Sequence, residues 1–70
     1  MSHFSNDIIA DNIISDVADL NKLQVMNRLS NANLKKVAAY VGDGDIVDYA
    51  KDVLMYQMFD NAVNMPGPHV

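Results

Sequence analysis

The stretch of this chain best suited to hold a cation is Gly42-Asp43-Gly44-Asp45-Ile46. A helix-flanked calcium loop needs several carboxylates at alternating early positions, a glycine at the sharp turn and a bidentate acid at the end. With Gly44 as the turn glycine, Asp43 is one ligand and Ile46 the apolar position. The two earlier acid positions then fall on Ala39 and Val41, and the last on Ala50. Three carboxylates are missing, so the stretch reads as a helix-breaking turn with Asp caps. The other candidates for chemistry are sparser. His3 and His69 stand at the two ends of the chain, and Ser5, Ser15 and Ser30 have no histidine near them in sequence. Asp pairs recur at helical spacing, which suits solvent better than the dry concave pocket an acid–base pair requires. Cysteine is absent, which removes thiolate metal sites, iron–sulfur clusters, disulfides and a cysteine nucleophile. No catalytic residue, metal site or cofactor is therefore expected, and the chain is not expected to be an enzyme.

Composition narrows the class further. Seventy residues with half of them apolar make one small globular domain, near the lower limit for a self-sufficient core. All nine acids are Asp, and Asn contributes eight more residues. Both residue types are poor in helix interiors and good at caps. Charge is blocked: four Asp and no base in 1–20, four bases and no acid in 21–36, five Asp against Lys51 in 43–60. The simplest reading sets acidic outer helices beside a basic middle. An acyl carrier would share the small acidic helical character, but it needs a serine within Asp-Ser-Leu, and that tripeptide is absent. No run of apolar residues is long enough to cross a membrane. The first seven residues lack a basic leader pattern, so a cytoplasmic location is expected.

The elements that would position any site follow from periodicity. The pattern predicts an all-α bundle of three to four helices over about 6–20, 22–29, 31–41 and 45–63. The domain is expected over 1–64, with an irregular Pro-containing tail at 65–70. In the first helix Ile9, Ala10, Ile13, Ile14, Val17 and Leu20 fall within about 140° of arc, with Asp7, Asp11, Ser15 and Asp19 opposite and Ser5 or Asn6 as cap. In the second, Leu23, Met26 and Leu29 step by three, entered through Asp19 or Asn21. In the third, Ser30 is the N-cap, Leu29 and Leu34 form a hydrophobic staple, and Leu34, Val37, Ala38 and Val41 make the stripe. Gly42 is expected to close it in the left-handed conformation. The fourth helix carries two apolar stripes, Val47–Leu54–Met58–Ala62 and Tyr49–Tyr56–Val63. So small a chain rarely buries both.

These features imply a non-enzymatic protein–protein interaction module. The expected interface is Tyr49, Met55, Tyr56, Phe59 and Val63, with a charged rim of Asp7, Asp11, Asp48 and Asp52. Met26, Met55, Met58 and Met65 suit either core packing or an adaptable partner surface. The partner is a larger protein, which the chain serves as adaptor or inhibitor of the kind phages and mobile elements encode, or a second copy in a homodimer. One alternative is a structural subunit of a larger assembly. Another is a nucleic-acid-binding helix-turn-helix built on the basic 22–36 segment, which a net charge of −4 opposes.

Overall fold

The computed structural model describes residues 6–63; the tail at 65–70, His3, His69 and the Ser5 cap lie outside them. Four helices follow in order: α1 Asn6–Ala18, α2 Lys22–Arg28, α3 Asn31–Ala38 and α4 Ile46–Val63. The architecture is the expected small all-α bundle. Each of the first three helices packs on α4. Lys51 of α4 reaches the carbonyl of Ala18 at the end of α1, while Ala10 near its start shares a groove with Phe59. Hence α1 runs antiparallel to α4. The same logic applies to α3, whose Asn33 bonds Gln57 and whose flanking Tyr40 stacks on Tyr49.

Local chemistry explains where the helices begin. Asn21 opens α2 with a reciprocal pair: its Oδ1 accepts from the Gln24 N–H at 2.8 Å, and Gln24 Oε1 accepts from the Asn21 N–H at 2.9 Å. A glutamine three residues on lets both orphan donors be satisfied, which Asp19 could not arrange. Ser30 opens α3, its hydroxyl accepting from the Asn33 N–H at 3.2 Å. Asp45 opens α4, its carboxylate accepting from the Val47 N–H at 3.0 Å. Asp45 in the glycine-rich turn thus serves as a helix cap.

The ends depart from expectation. α1 stops at Ala18, where Leu20 N–H turns back to the Val17 carbonyl. α3 stops at Ala38 rather than 41, and Gly42 is not its left-handed cap; no described residue has positive φ. The Ala39 and Tyr40 N–H groups close the helix onto the Lys35 and Val37 carbonyls, so no left-handed residue is required. The chain leaves the helix with Tyr40, whose ring stacks on Tyr49 at 4.3 Å and 17° and whose hydroxyl accepts from the Gly44 N–H at 3.0 Å. Val41, assigned above to the α3 stripe, is consequently 94% exposed. A Cβ on Gly42 would sit 2.5–2.7 Å from the hydroxyl end of the Tyr40 side chain, so Tyr40 would have to shift from its stack on Tyr49.

The core is made of small and medium side chains: Ile13 and Val17 of α1, Val25 of α2, Leu29 at the α2–α3 join, Val37 of α3, and Ala50, Val53 and Leu54 of α4. Val17, Val25 and Leu54 are its largest fully enclosed members. Three stripe assignments shift. In α2, Leu23 is 68% exposed, and the pair turned inward is Val25 with Leu29, one helical turn apart. In α1, Ile14 is 51% exposed although it borders the apolar arc. In α4 the buried stripe centres on Leu54 but is completed by Ala50 and Val53, while Val47 is half-buried and Ala62 exposed.

Two predictions follow from this packing. Leu54→Ala should lower unfolding free energy by about 2–5 kcal/mol in chemical denaturation, because it removes a fully buried side chain of the core and leaves a cavity there. Gly42→Ala should destabilise by about 1 kcal/mol through collision with Tyr40, and that cost should vanish in a Tyr40→Ala background. An unchanged cost in that background would locate the need for glycine in the backbone instead.

Candidate interaction surface on α4

The side of α4 turned away from the core carries the candidate site. Residues 48, 52, 56 and 60 form one row at four-residue spacing, and they are Asp48, Asp52, Tyr56 and Asp60. Tyr56 is the most exposed aromatic of the described residues, with 77% of its surface open. Its position is set by Leu54 two residues earlier, which is fully buried and so rotates residue 56 about 200° away from the core at 3.6 residues per turn.

Shallow grooves lie on both flanks of this row. The one toward α1 has a volume of about 430 Å³ and is walled by Ala10, Ile13 and Ile14 of α1 with Asp52, Met55, Tyr56 and Phe59 of α4. The one toward α3 has a volume of about 560 Å³ and adds Asn33, Lys36, Tyr49, Val53, Gln57 and Asp60 to the shared Asp52, Tyr56 and Phe59. Tyr56 is therefore a ridge between two depressions. The α1-side groove is the more apolar in its lining, with Asp52 its single charged residue.

The residues named from sequence divide into two groups. Tyr56 and Val63 are exposed. Met55 and Phe59 are half-buried, packed against the core on one side and facing the α1-side groove on the other. Tyr49 is half-buried as well, with one ring face occupied by Tyr40. Of the rim, Asp48 and Asp52 share the Tyr56 row, and Asp11 stands one turn before Ile14 on α1. Asp7 lies in the first turn of α1, where a carboxylate suits the positive end of the helix.

Sequence reading missed three residues of this face. Ile14 was placed in the core arc, and its exposure makes it the α1 wall of the groove. Asp60 completes the acidic row, which the four-residue spacing from Asp52 and Tyr56 would have shown. Gln57 had no signal at all. Its Oε1 accepts from the Ser30 N–H and from Asn33 Nδ2, both at 2.8 Å, and its Nε2 donates to the Arg28 carbonyl at 2.8 Å. One amide thus ties the α2–α3 join to α4 and fixes the wall of the α3-side groove.

Lys51 Nζ donates to the Ala18 carbonyl at 3.2 Å, and Arg28 Nη1 donates to the Gln24 carbonyl at 3.2 Å. Arg28 lies in the last turn of α2, and Lys35 and Lys36 in the last turn of α3, where positive charge is favoured by the helix dipole. Among the described residues no three histidine or acidic side chains converge on a common point. No helix of the described residues is long and apolar enough to cross a membrane. Compared with family models, with curated proteins and with solved structures, the chain matches none.

The Gln57 clamp is directly testable. Gln57→Ala removes partners from two donors and one carbonyl at the α2–α3 join, and should cost about 1–3 kcal/mol at roughly 1 kcal/mol per bond in a partly solvated site. Gln57→Glu keeps the acceptor for Ser30 and Asn33 but loses the donor to Arg28, so its denaturation midpoint should fall between those of wild type and Gln57→Ala.

Proposed function

We propose that this chain is a small non-enzymatic interaction module that docks a protein partner along the outer side of α4. The observation that carries the reading is the exposed Tyr56 ridge, held between two grooves by a fully buried Leu54 on the opposite side of the same helix. A half-walled aromatic with adjoining apolar depressions and a charged rim is the usual composition of a binding hot spot. Met55 and Phe59 supply adaptable apolar walls. A module of this size acts by occluding or bridging its partner, as an inhibitor or an adaptor. The basic 22–36 segment supports a nucleic-acid reading less well, because Arg28, Lys35 and Lys36 have dipole-matched positions at helix ends and the net charge is −4.

The test is Tyr56→Asp, read for both affinity and fold. Capture from a lysate of the cell that makes the chain, at low and high salt with nuclease, identifies the partner by mass spectrometry. Tyr56→Asp should then weaken docking by at least about 2 kcal/mol, as loss of a hot-spot aromatic does. Thermal unfolding should change by less than about 1 kcal/mol, since the site is exposed and only helix propensity and local charge are altered. Unfolding of the variant would make Tyr56 a core residue and overturn the reading.

A further inference from the structure

We infer that the occupant of this face is a second copy of this chain, docked across a two-fold axis through the α3-side groove. The inference rests on reading Tyr56 as a docking ridge and names what the ridge docks into. The groove carries both signs of charge: Lys36 stands on its α3 wall and Asp52 on its α4 wall. Both residues are exposed, and among the described residues neither side chain has an ion-pair or hydrogen-bond partner. Beside them rises Tyr56, a convex side chain next to a concave volume of about 560 Å³.

Such a face is complementary to itself. In an isologous pair the same patch appears on both subunits, turned by half a turn about the axis. An axis between Lys36 and Asp52 brings Lys36 of each copy to Asp52 of the other, twice by symmetry, and seats each Tyr56 in the groove of the other. The two α4 helices then run antiparallel. One register satisfies all of these contacts. With Tyr56 set on Tyr49 of the other copy, residue 52 lies opposite residue 53. Asn33 bonds Gln57 and Tyr40 stacks on Tyr49, so Lys36, between them on α3, is level with residue 53 of its own α4. Asp52 therefore arrives beside Lys36 of the other copy in the register that joins the tyrosines.

The aromatic contact is self-completing as well. Tyr49 has one ring face on Tyr40 and lines the groove, so Tyr56 of the other copy extends a two-ring stack to three. At the crossing angle of about −50° commonest for packed helices, the ends of α4 diverge from the axis. Asp45 and Asp60, opposite each other in this register, stand at those ends; Asp45 caps its own helix and Asp60 is engaged within its own chain. A different protein would have to supply a base, an acid and a projecting aromatic in this arrangement, and a second copy already carries all three.

The experiment is sedimentation equilibrium on the full chain and on two charge-reversed variants, Lys36→Glu and Asp52→Lys, alone and in equimolar mixture. The wild-type chain should dimerise with a dissociation constant on the order of micromolar, as a small interface does. Each variant alone opposes like charges twice and should dimerise at least about tenfold more weakly. In the mixture the two reversed charges meet each other, and native Asp52 meets native Lys36, so a mixed dimer should form with close to wild-type affinity. Tyr56→Asp should be monomeric, and circular dichroism should find all three variants as helical as wild type, because all three positions are exposed. A mixture no more dimeric than its components would overturn the Lys36–Asp52 pairing. A dimer indifferent to both reversals but lost with Tyr56→Asp would overturn the α3-side interface and leave docking through Tyr56 standing. So would a chain that is monomeric to about 1 mM and whose Tyr56-dependent partner is another protein. A dimer unaffected by Tyr56→Asp, or a monomer that captures nothing through Tyr56, would overturn both the inference and the docking reading beneath it.

Discussion

Every other helix of this chain packs on α4, so α4 must present core-forming residues toward three neighbours at once. Eighteen residues give it five turns, and α1, α2 and α3 each bury one or two side chains against the Ala50–Val53–Leu54 stretch. Small side chains there let three helices approach one axis. The arrangement also fixes which part of α4 remains uncovered. Once Leu54 points inward, Tyr56 must point outward, and no further helix among the described residues covers it.

Two polar devices hold the shorter helices to this strut. Gln57 engages the α2–α3 join through three hydrogen bonds, and so positions α2 and α3 with a single side chain. At the other end, Tyr40 stacks on Tyr49 and accepts from the Gly44 N–H, which folds the α3–α4 turn against α4. Lys51 anchors the end of α1 in a comparable way. Helices of seven and eight residues are marginal alone. Their stability comes from caps at Asn21 and Ser30 and from these tethers.

The consequence for function is a surface with a built-in polarity. The core side of α4 is apolar, its flanks are grooves shared with α1 and α3, and its outer row sets Tyr56 among three Asp residues. Apolar area supplies the affinity in such an interface, while charge selects among partners with similar apolar stripes.

The sequence by itself determined the fold class and most of the helices' starting points. Period, Asn21, Ser30 and Asp45 as caps, and the glycine-rich break are local signals, and local physics decides them. It also marked α4 as too apolar to be buried on one side only, and Tyr56 as a candidate contact. The tertiary structure decided what depends on distant residues. Val25 replaced Leu23 as the inward residue of α2, because a two-turn helix takes its rotation from where Gln57 and α4 hold it. Ile14, at the border of the apolar arc of α1, is left half-open as a groove wall beside Tyr56 and Phe59 of α4. Tyr49 lost one face to Tyr40, and α3 ended early for the same stacking contact. Gly42 lies under the end of the Tyr40 side chain, and its own backbone has no positive φ that would call for glycine. In each case the deciding partner is too remote along the chain for periodicity to register.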